Sequence, residues 1–291
     1  MPIKNGAKDT IFCKKHLLNL GGKPYSIDSP MIMGILNITP DSFHDGGQYT
    51  TVAKATFKVR EMIDEGAAII DIGACSTRPG AKALSPKEEI ARLKTMLPSL
   101  KKEFPEIIFS LDTYQAEVAR AGADMGVHII NDISGGTMDK NMAKAVADIK
   151  LPYILMHIQG TPQNMQQSPE YKDVFEDVSY YFSRQMNKFL DAGVADIILD
   201  PGFGFGKTLE HNYALLATLD LFRIFQRPLL VGASRKSMIN KLLDISSKDA
   251  LNGTTVVNTI ALQKGADILR VHDVKAAAEA LKIVTFTQNF S

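Results

Sequence analysis

The chain has 291 residues, 45% of them apolar, enough to bury a substantial core, and this length suits one large α/β barrel or two ordinary domains. Lysine and arginine total 33 against 32 aspartates and glutamates, so no global attraction to nucleic acid or an acidic membrane is available. The two cysteines, Cys13 and Cys75, make neither a disulfide framework nor a four-thiolate zinc site, and no apolar run approaches the roughly 20 residues of a membrane helix. The N-terminus, MPIKNGAKDT, lacks the apolar stretch of a signal peptide, which points to a reducing cytoplasm.

The first element in chain order lies in NLGGKPYSIDSP, which reads as a hairpin over one barrel end and sets residues 1–30 apart as an N-terminal extension to a barrel over 31–291. MIMGILNI is the first branched-apolar run. In TVAKATFKVREMIDEG, Val52, Ala55, Val59, Met62 and Ile63 follow the helix period. A recurring phrase then appears in EGAAIIDIG, MGVHIINDI, AGVADIILD and KGADILRVHD. Its glycine ends a helix, and its apolar run reads as a buried parallel strand. SPKEE predicts a helix start, with Ser85 as N-cap, Pro86 in the first turn and Glu88 completing a capping box. IIFSLD, YILMHI and PLLVGAS supply the remaining strands, for eight strand-helix units and a (β/α)8 TIM barrel. The same alternation permits an open, doubly wound sheet. A nucleotide-binding version of that sheet should carry G-x-G-x-x-G after an early strand, and none is present.

A barrel gathers the carboxyl ends of its strands on one face, where active sites are built. Here those ends read Asn37, Asp71, Asp112, Asn131, His157, Asp200, Ser234 with Lys236, and Arg270 with His272. Any one of them has an ordinary explanation, since Asp and Asn begin turns; the whole set converging on one mouth does not. Asp112, Asn131 and Asp200 suit a flat heterocycle presenting adjacent N–H donors, and Lys236 can donate to a ring carbonyl. Arg270 and His272 could hold phosphate, assisted by the helix that starts after GASRKS. DPGFGFGKT ends like a phosphate-binding P-loop, but Pro201 stands where the first glycine belongs.

Eight phrases occur in one order across residues 31–273: GILNITPDSFHDGG, STRPGA, SLDTYQAEVA, NDISGG, LMHIQGTPQNMQ, DPGFGFGK, VGASRKS and RVHD. With them the sequence resembles the dihydropteroate synthases of the pterin-binding barrel family. The resemblance implies a transferase that condenses hydroxymethyl-dihydropterin pyrophosphate with para-aminobenzoate, giving dihydropteroate and pyrophosphate with Mg2+. It implies that Asp112, Asn131, Asp200 and Lys236 hold the pterin, with Met156 and Phe205 packed nearby, and that Asn37 ligates magnesium while Arg270 and His272 meet the pyrophosphate. Thr77, Arg78, Pro79, Phe205 and Ser234 would meet aminobenzoate. The segments TPDSFHDGGQYT and ACSTRPGAKAL would close over the site. A homodimer joined through the later barrel helices, and a sulfonamide target, follow from the same likeness.

On this reading loss of pyrophosphate leaves a resonance-stabilised cation, which a buried anion, Asp112, would stabilise; an aryl amine needs no strong base. Asp200 would face the pterin. Gly202, Gly204 and Gly206 would let backbone approach the ring, Phe205 would form an apolar wall, and Lys207 would be a helix-start residue facing solvent. The chain departs from the family pattern at Ala74-Cys75, where Gly-Glu or Gly-Gln is usual, at Gln115 in place of Lys or Arg, and at His44 in place of Ser. Cys75 reads as a small buried filler, His44 as an exposed loop residue, and Tyr114 and His157 as packing and an oriented structural histidine. Two rivals are a corrinoid methyltransferase on the same barrel and a non-catalytic pterin-binding paralogue.

Overall fold

The computed structural model describes residues 16–38, 48–75, 84–161, 165 and 169–290, the side chains of 48–51 excepted. β1 (His16–Leu20) and β2 (Lys23–Ile27) form an antiparallel hairpin across Gly21-Gly22. Eight parallel strands follow: β3 (Met31–Asn37), β4 (Ile69–Gly73), β5 (Ile108–Asp112), β6 (Ile129–Asp132), β7 (Tyr153–Met156), β8 (Ile197–Asp200), β9 (Leu230–Val231) and β10 (Ile268–Val271). Their order is β8-β7-β6-β5-β4-β3-β10-β9, and a parallel bridge from Leu199 to Leu229 joins the two ends into a ring. The ring replaces the open, doubly wound sheet that the sequence also permits.

The helices are α1 (Gln48–Asp64), α2 (Pro86–Glu103), α3 (Ala116–Asp124), α4 (Met142–Ile149), α5 (Val174–Asp191), α6 (Leu209–Ala217), α7 (Ser237–Leu243), α8 (Leu251–Gln263) and α9 (Val274–Gln288), with a 3-10 turn at Leu219–Phe225. In α1 the helical period buries Ala55, Val59 and Met62. α2 starts with the expected capping box: Glu88 N–H donates to Ser85 Oγ, and Ser85 N–H donates back to Glu88 Oε2 at 2.9 Å. The glycines of the recurring phrase, Gly66, Gly126, Gly193 and Gly265, all have positive φ, which ends each helix and turns the chain into the next strand.

Strand alternation divides the apolar residues between two cores. Ile70, Phe109, Ile130, Tyr153, Leu155 and Leu199 point outward against the helices. Met33, Ile69, Ile108, Ile129, Ile154, Ile198, Leu230 and Ile268 fill the barrel interior and meet Leu18, Leu20 and Ile27 of the hairpin, which closes the amino-terminal end. With that end plugged, the carboxyl ends of the strands form the mouth available for chemistry. Among the described residues no helix is long and apolar enough to cross a membrane.

Candidate active site

Two residues beyond six of the eight inward apolar residues, the same parity brings a polar or functional side chain to the mouth. Ile69 is followed by Asp71, Ile108 by Ser110 and then Asp112, Ile129 by Asn131, Ile154 by Met156, Ile198 by Asp200, and Ile268 by Arg270. His157 has the opposite parity and leaves the barrel axis. Its ring meets Tyr181 of α5 edge-on at 4.8 Å, which fits the structural histidine expected from the sequence.

Arg270 ties the carboxylates together. Its Nε donates to Asp71 Oδ2 at 2.7 Å and its Nη2 to Asp112 Oδ2 at 2.8 Å, while Asn131 Nδ2 donates to Asp71 Oδ2 at 3.0 Å. Asp71 is fully buried, and a buried carboxylate persists only when paired and hydrogen-bonded. Burial pushes the Asp112 carboxyl up to about 7 even against Arg270, with the Asp71 charge adding to the rise. The sequence brings Asp71 to the mouth without a task; the structure shows that it holds Arg270 and Asn131.

On the same mouth, Asp200 accepts the Gly202 N–H at 2.7 Å, and burial raises its carboxyl while Lys236 opposes the rise. Burial lowers the Lys236 ammonium to about 8, with Asp200 acting the other way. Lys236 Nζ donates to Phe203 O at 2.6 Å and sits 4.4 Å from the Phe205 ring centroid, a cation–π distance. Phe205 and Tyr114 flank an apolar cluster of Ile133, Met156, Ile158 and Met165. Together these groups line a slot at the mouth, with Phe205 as an apolar wall, the carboxylates as acceptors and Lys236 as an ammonium donor.

The loop after β9 presents Ser234 and Lys236 because Arg235 anchors it. Arg235 adopts φ 55 and grips Asp273 with Nε and Nη2, each at 2.8 Å, while Nη1 donates to the carbonyls of Ser247 and Lys248. Neither Arg235 nor Asp273 stands out in the sequence; the only available hint is their adjacency to Lys236 and His272 in VGASRKS and RVHD. Ser234 Oγ accepts the His272 N–H at 3.2 Å and lies 3.1 Å from Nδ1. The His272 ring is accessible at the mouth, yet the surrounding protein and then the Arg270 charge push its imidazole down to about 4, so it is neutral at pH 7.

The structure overturns one expectation about the DPGFGFGK segment. Lys207 does not face solvent: it is 4% exposed, and its Nζ lies 2.8 Å from His157 Nδ1. The chain curls tightly after Asp200, drawing the Lys207 stem inward. Protein contacts themselves require two of its glycines, since a Cβ on Gly202 at φ 70 would lie 1.9 Å from His157 O and one on Gly206 2.5 Å from Gln159 O. Phe203 is a fully buried outer-core residue, whereas Phe205 faces the slot.

Asn37, at the end of β3, carries its Oδ1 beside Gly73 and Asp112. Among the described residues no group of three or more His, Cys, Asp or Glu side chains could hold a metal. A single amide oxygen at a carboxylate-rich mouth still fits Mg2+, which keeps several waters and draws further oxygens from substrate phosphates. Thr77, Arg78 and Pro79, and His44, lie outside the described residues. Cys75 is buried and its thiol is pushed up by burial, as a filler's would be. Gln115, where the family pattern has a cation, donates to Glu89 Oε2 at 2.6 Å, and burial raises that carboxyl.

The profile of the family described as pterin binding enzyme matches residues 33–272. A dihydropteroate synthase of Escherichia coli (strain K12) is 46% identical over 268 residues, covering 91% of this chain and 94% of the relative. The crystal structure of Yersinia pestis dihydropteroate synthase with a sulfonamide drug complex superposes with a TM-score of 0.88 at 42% identity, over 94% of this chain and 100% of that one. The Thermus thermophilus dihydropteroate synthase in complex with 4-aminobenzoate superposes with a TM-score of 0.83 at 36% identity, over 93% and 99% of the two chains.

Proposed function

The chain belongs to the pterin-binding enzyme family and acts as a dihydropteroate synthase, a transferase of folate biosynthesis, and from that premise we propose how its residues divide the reaction. The pterin ring of hydroxymethyl-dihydropterin pyrophosphate lies in the slot lined by Asp112, Asn131, Asp200 and Lys236, with Met156 and Phe205 against its faces. Carboxylates accept in parallel from an amidine-like edge, and an ammonium donates to the carbonyl. Arg270 and His272 meet the pyrophosphate. Ser234 and Phe205, with Thr77, Arg78 and Pro79, receive para-aminobenzoate, and the sulfonamide bound by the Yersinia pestis relative supports reading this subsite as a sulfonamide target.

The C–O bond between the pterin methylene and the diphosphate breaks, and its electron pair leaves on the diphosphate oxygen. The positive charge left on the methylene spreads into the ring, where ionised Asp112 stabilises it. The Arg270 N–H groups not engaged by Asp71 and Asp112 face the charge developing on the leaving group. The aryl amine then attacks the methylene, and its surplus proton passes to solvent or to the departing diphosphate. Asn37, together with substrate oxygens, would hold magnesium, which would supply positive charge to offset the diphosphate.

The observation that carries this reading is the convergence of Asp112, Asn131, Asp200, Lys236 and Arg270 on one barrel mouth. A product assay with both substrates and magnesium, repeated with chelator, tests it. Dihydropteroate and pyrophosphate should appear only when all three are present. Pterin binding without product would favour the non-catalytic paralogue, and methyl transfer to a corrinoid partner would favour the methyltransferase.

The same reading keeps residues 1–30 as an extension and 31–291 as the pterin-binding barrel. It places the enzyme in the cytoplasm as a homodimer through the later helices, where Val256 of α8 and Ile283 and Phe286 of α9 are exposed. Light scattering in solution checks the dimer.

A further inference from the structure

Lys207 is a buried cation for which neither the chemistry above nor the helix it precedes has a use. Its Nζ has three acceptors within 3.0 Å: His157 Nδ1 at 2.8 Å, Gly202 O at 3.0 Å and Phe205 O at 3.0 Å. An ammonium has three hydrogens, so each acceptor takes one. Burial holds the His157 imidazole well below the ordinary range, so the ring is neutral, and with the Lys207 ammonium donating at Nδ1 the ring proton sits on Nε2. Burial also lowers the Lys207 ammonium to about 7, while Asp200 opposes the shift. A methionine would fill this space without desolvating a charge, so the ammonium is retained for its donors.

Those donors act on one short turn. Gly202, Gly204 and Gly206 all have positive φ, at 70, 80 and 59, and a stretch with so many glycines has little intrinsic preference for a single shape. Two of its carbonyls point inward at Lys207 Nζ, and the third contact crosses to the loop after β7. The outer side of the turn carries the groups that bind: Gly202 N–H donates to Asp200, Phe203 O accepts from Lys236 Nζ, and the Phe205 ring lies against the same ammonium. Three groups of the pterin slot are therefore set by a turn wrapped around one lysine nitrogen.

We propose that Lys207 is a positioning residue for the pterin ring: it clamps the 201–206 turn to His157 and thereby sets Asp200, Phe205 and Lys236, without touching substrate itself. The proposal rests on the reading that these three groups hold the pterin. It gives Lys207 no contact with the pyrophosphate, which Arg270 and His272 meet elsewhere on the mouth. Loss of Lys207 should therefore weaken recognition of the ring and spare recognition of the diphosphate, a split that general damage to the fold would not produce.

The test is calorimetric titration of the full chain with 6-hydroxymethylpterin and, separately, with inorganic pyrophosphate plus magnesium, for wild type, Lys207→Met and Asp200→Asn. Lys207→Met should weaken pterin binding by about tenfold or more through the loss of buried hydrogen bonds, with pyrophosphate affinity unchanged. Unchanged pterin affinity overturns the proposal, and so does an equal loss for both ligands accompanied by a lower Tm. Should Lys207→Met not fold, Tyr171→Phe removes a peripheral bond to the same turn, from Tyr171 Oη to Gly206 O at 2.6 Å. It should cost about threefold in pterin affinity alone, and no cost overturns the proposal. Asp200→Asn separates the two levels. If it binds the ring as wild type does, the slot itself is misread; if it loses the ring while Lys207→Met keeps it, only the role of Lys207 fails.

Discussion

Arg270 donates through Nε to Asp71 Oδ2 at 2.7 Å, joining residues 199 positions apart and fixing the guanidinium against the inside of the barrel wall. Its remaining donors are thereby aimed at the mouth. Asp71→Asn keeps the side-chain shape but leaves Arg270 facing a neutral amide. Removing one partner of a buried pair costs about 3 kcal/mol or more, so the variant should unfold at lower urea and show a raised KM for the pterin pyrophosphate. Wild-type stability would show that the pair contributes nothing to holding Arg270.

The pH profile should be a narrow bell. Asp112 must be ionised to stabilise the cation, and its carboxyl titrates at about 7, so kcat/KM falls as pH drops through that value. Lys236 must be protonated to donate, and its ammonium titrates at about 8, so kcat/KM falls as pH rises through that value. Asp112→Asn should lower kcat by about 100-fold or more and abolish the acid limb. Lys236→Met should abolish the alkaline limb. A wild-type profile flat across neutrality contradicts both assignments.

Glycine substitutions should rank by what the new methyl group meets. In Gly202→Ala the Cβ would lie 1.9 Å from the backbone oxygen of His157, which cannot swing away, so a loss of about 3 kcal/mol or more is expected. In Gly204→Ala it would lie 3.1 Å from Lys236 Cδ, a flexible stem, and positive-φ strain of about 1 to 2 kcal/mol dominates. Urea unfolding of the two variants checks the order, and the reverse order would sink this account of the turn.

Arg235 and Asp273 should act as one unit. Lysine keeps the charge of Arg235 but not its fork, so Arg235→Lys should free the loop bearing Ser234 and Lys236 and lower kcat/KM by about tenfold, the scale of a lost, partly buried charge-assisted contact. Asp273→Asn should do the same. The double variant should be little worse than either single one; additive losses would mean that the 2.8 Å contacts of the pair do not set the loop.

Much of this was legible in the amino-acid order. Ser85, Pro86 and Glu88 announce the start of α2 because a capping box is a local contact between residues three apart. The phrase ending in Asp71, Asn131, Asp200 and Arg270 predicts both strands and mouth, since alternation assigns every second side chain to one face. His157 shows where run-end reading alone falls short: it ends a strand run like the others, yet parity sends it outward while Met156 points in.

Sequence alone determined the number of strand-helix units, the end of the barrel where polar groups gather, and the reading of Asp200 to Lys207 as something other than a phosphate loop, because each depends on periods and turn preferences that act over a few residues. Only the tertiary structure decided that Lys207 is buried, that Asp71 holds Arg270, and that Arg235 reaches Asp273 across the last two strand-helix loops. Those contacts arise when the ring closes, and a charge's partner across a closed ring depends on its position in space, which no local pattern records.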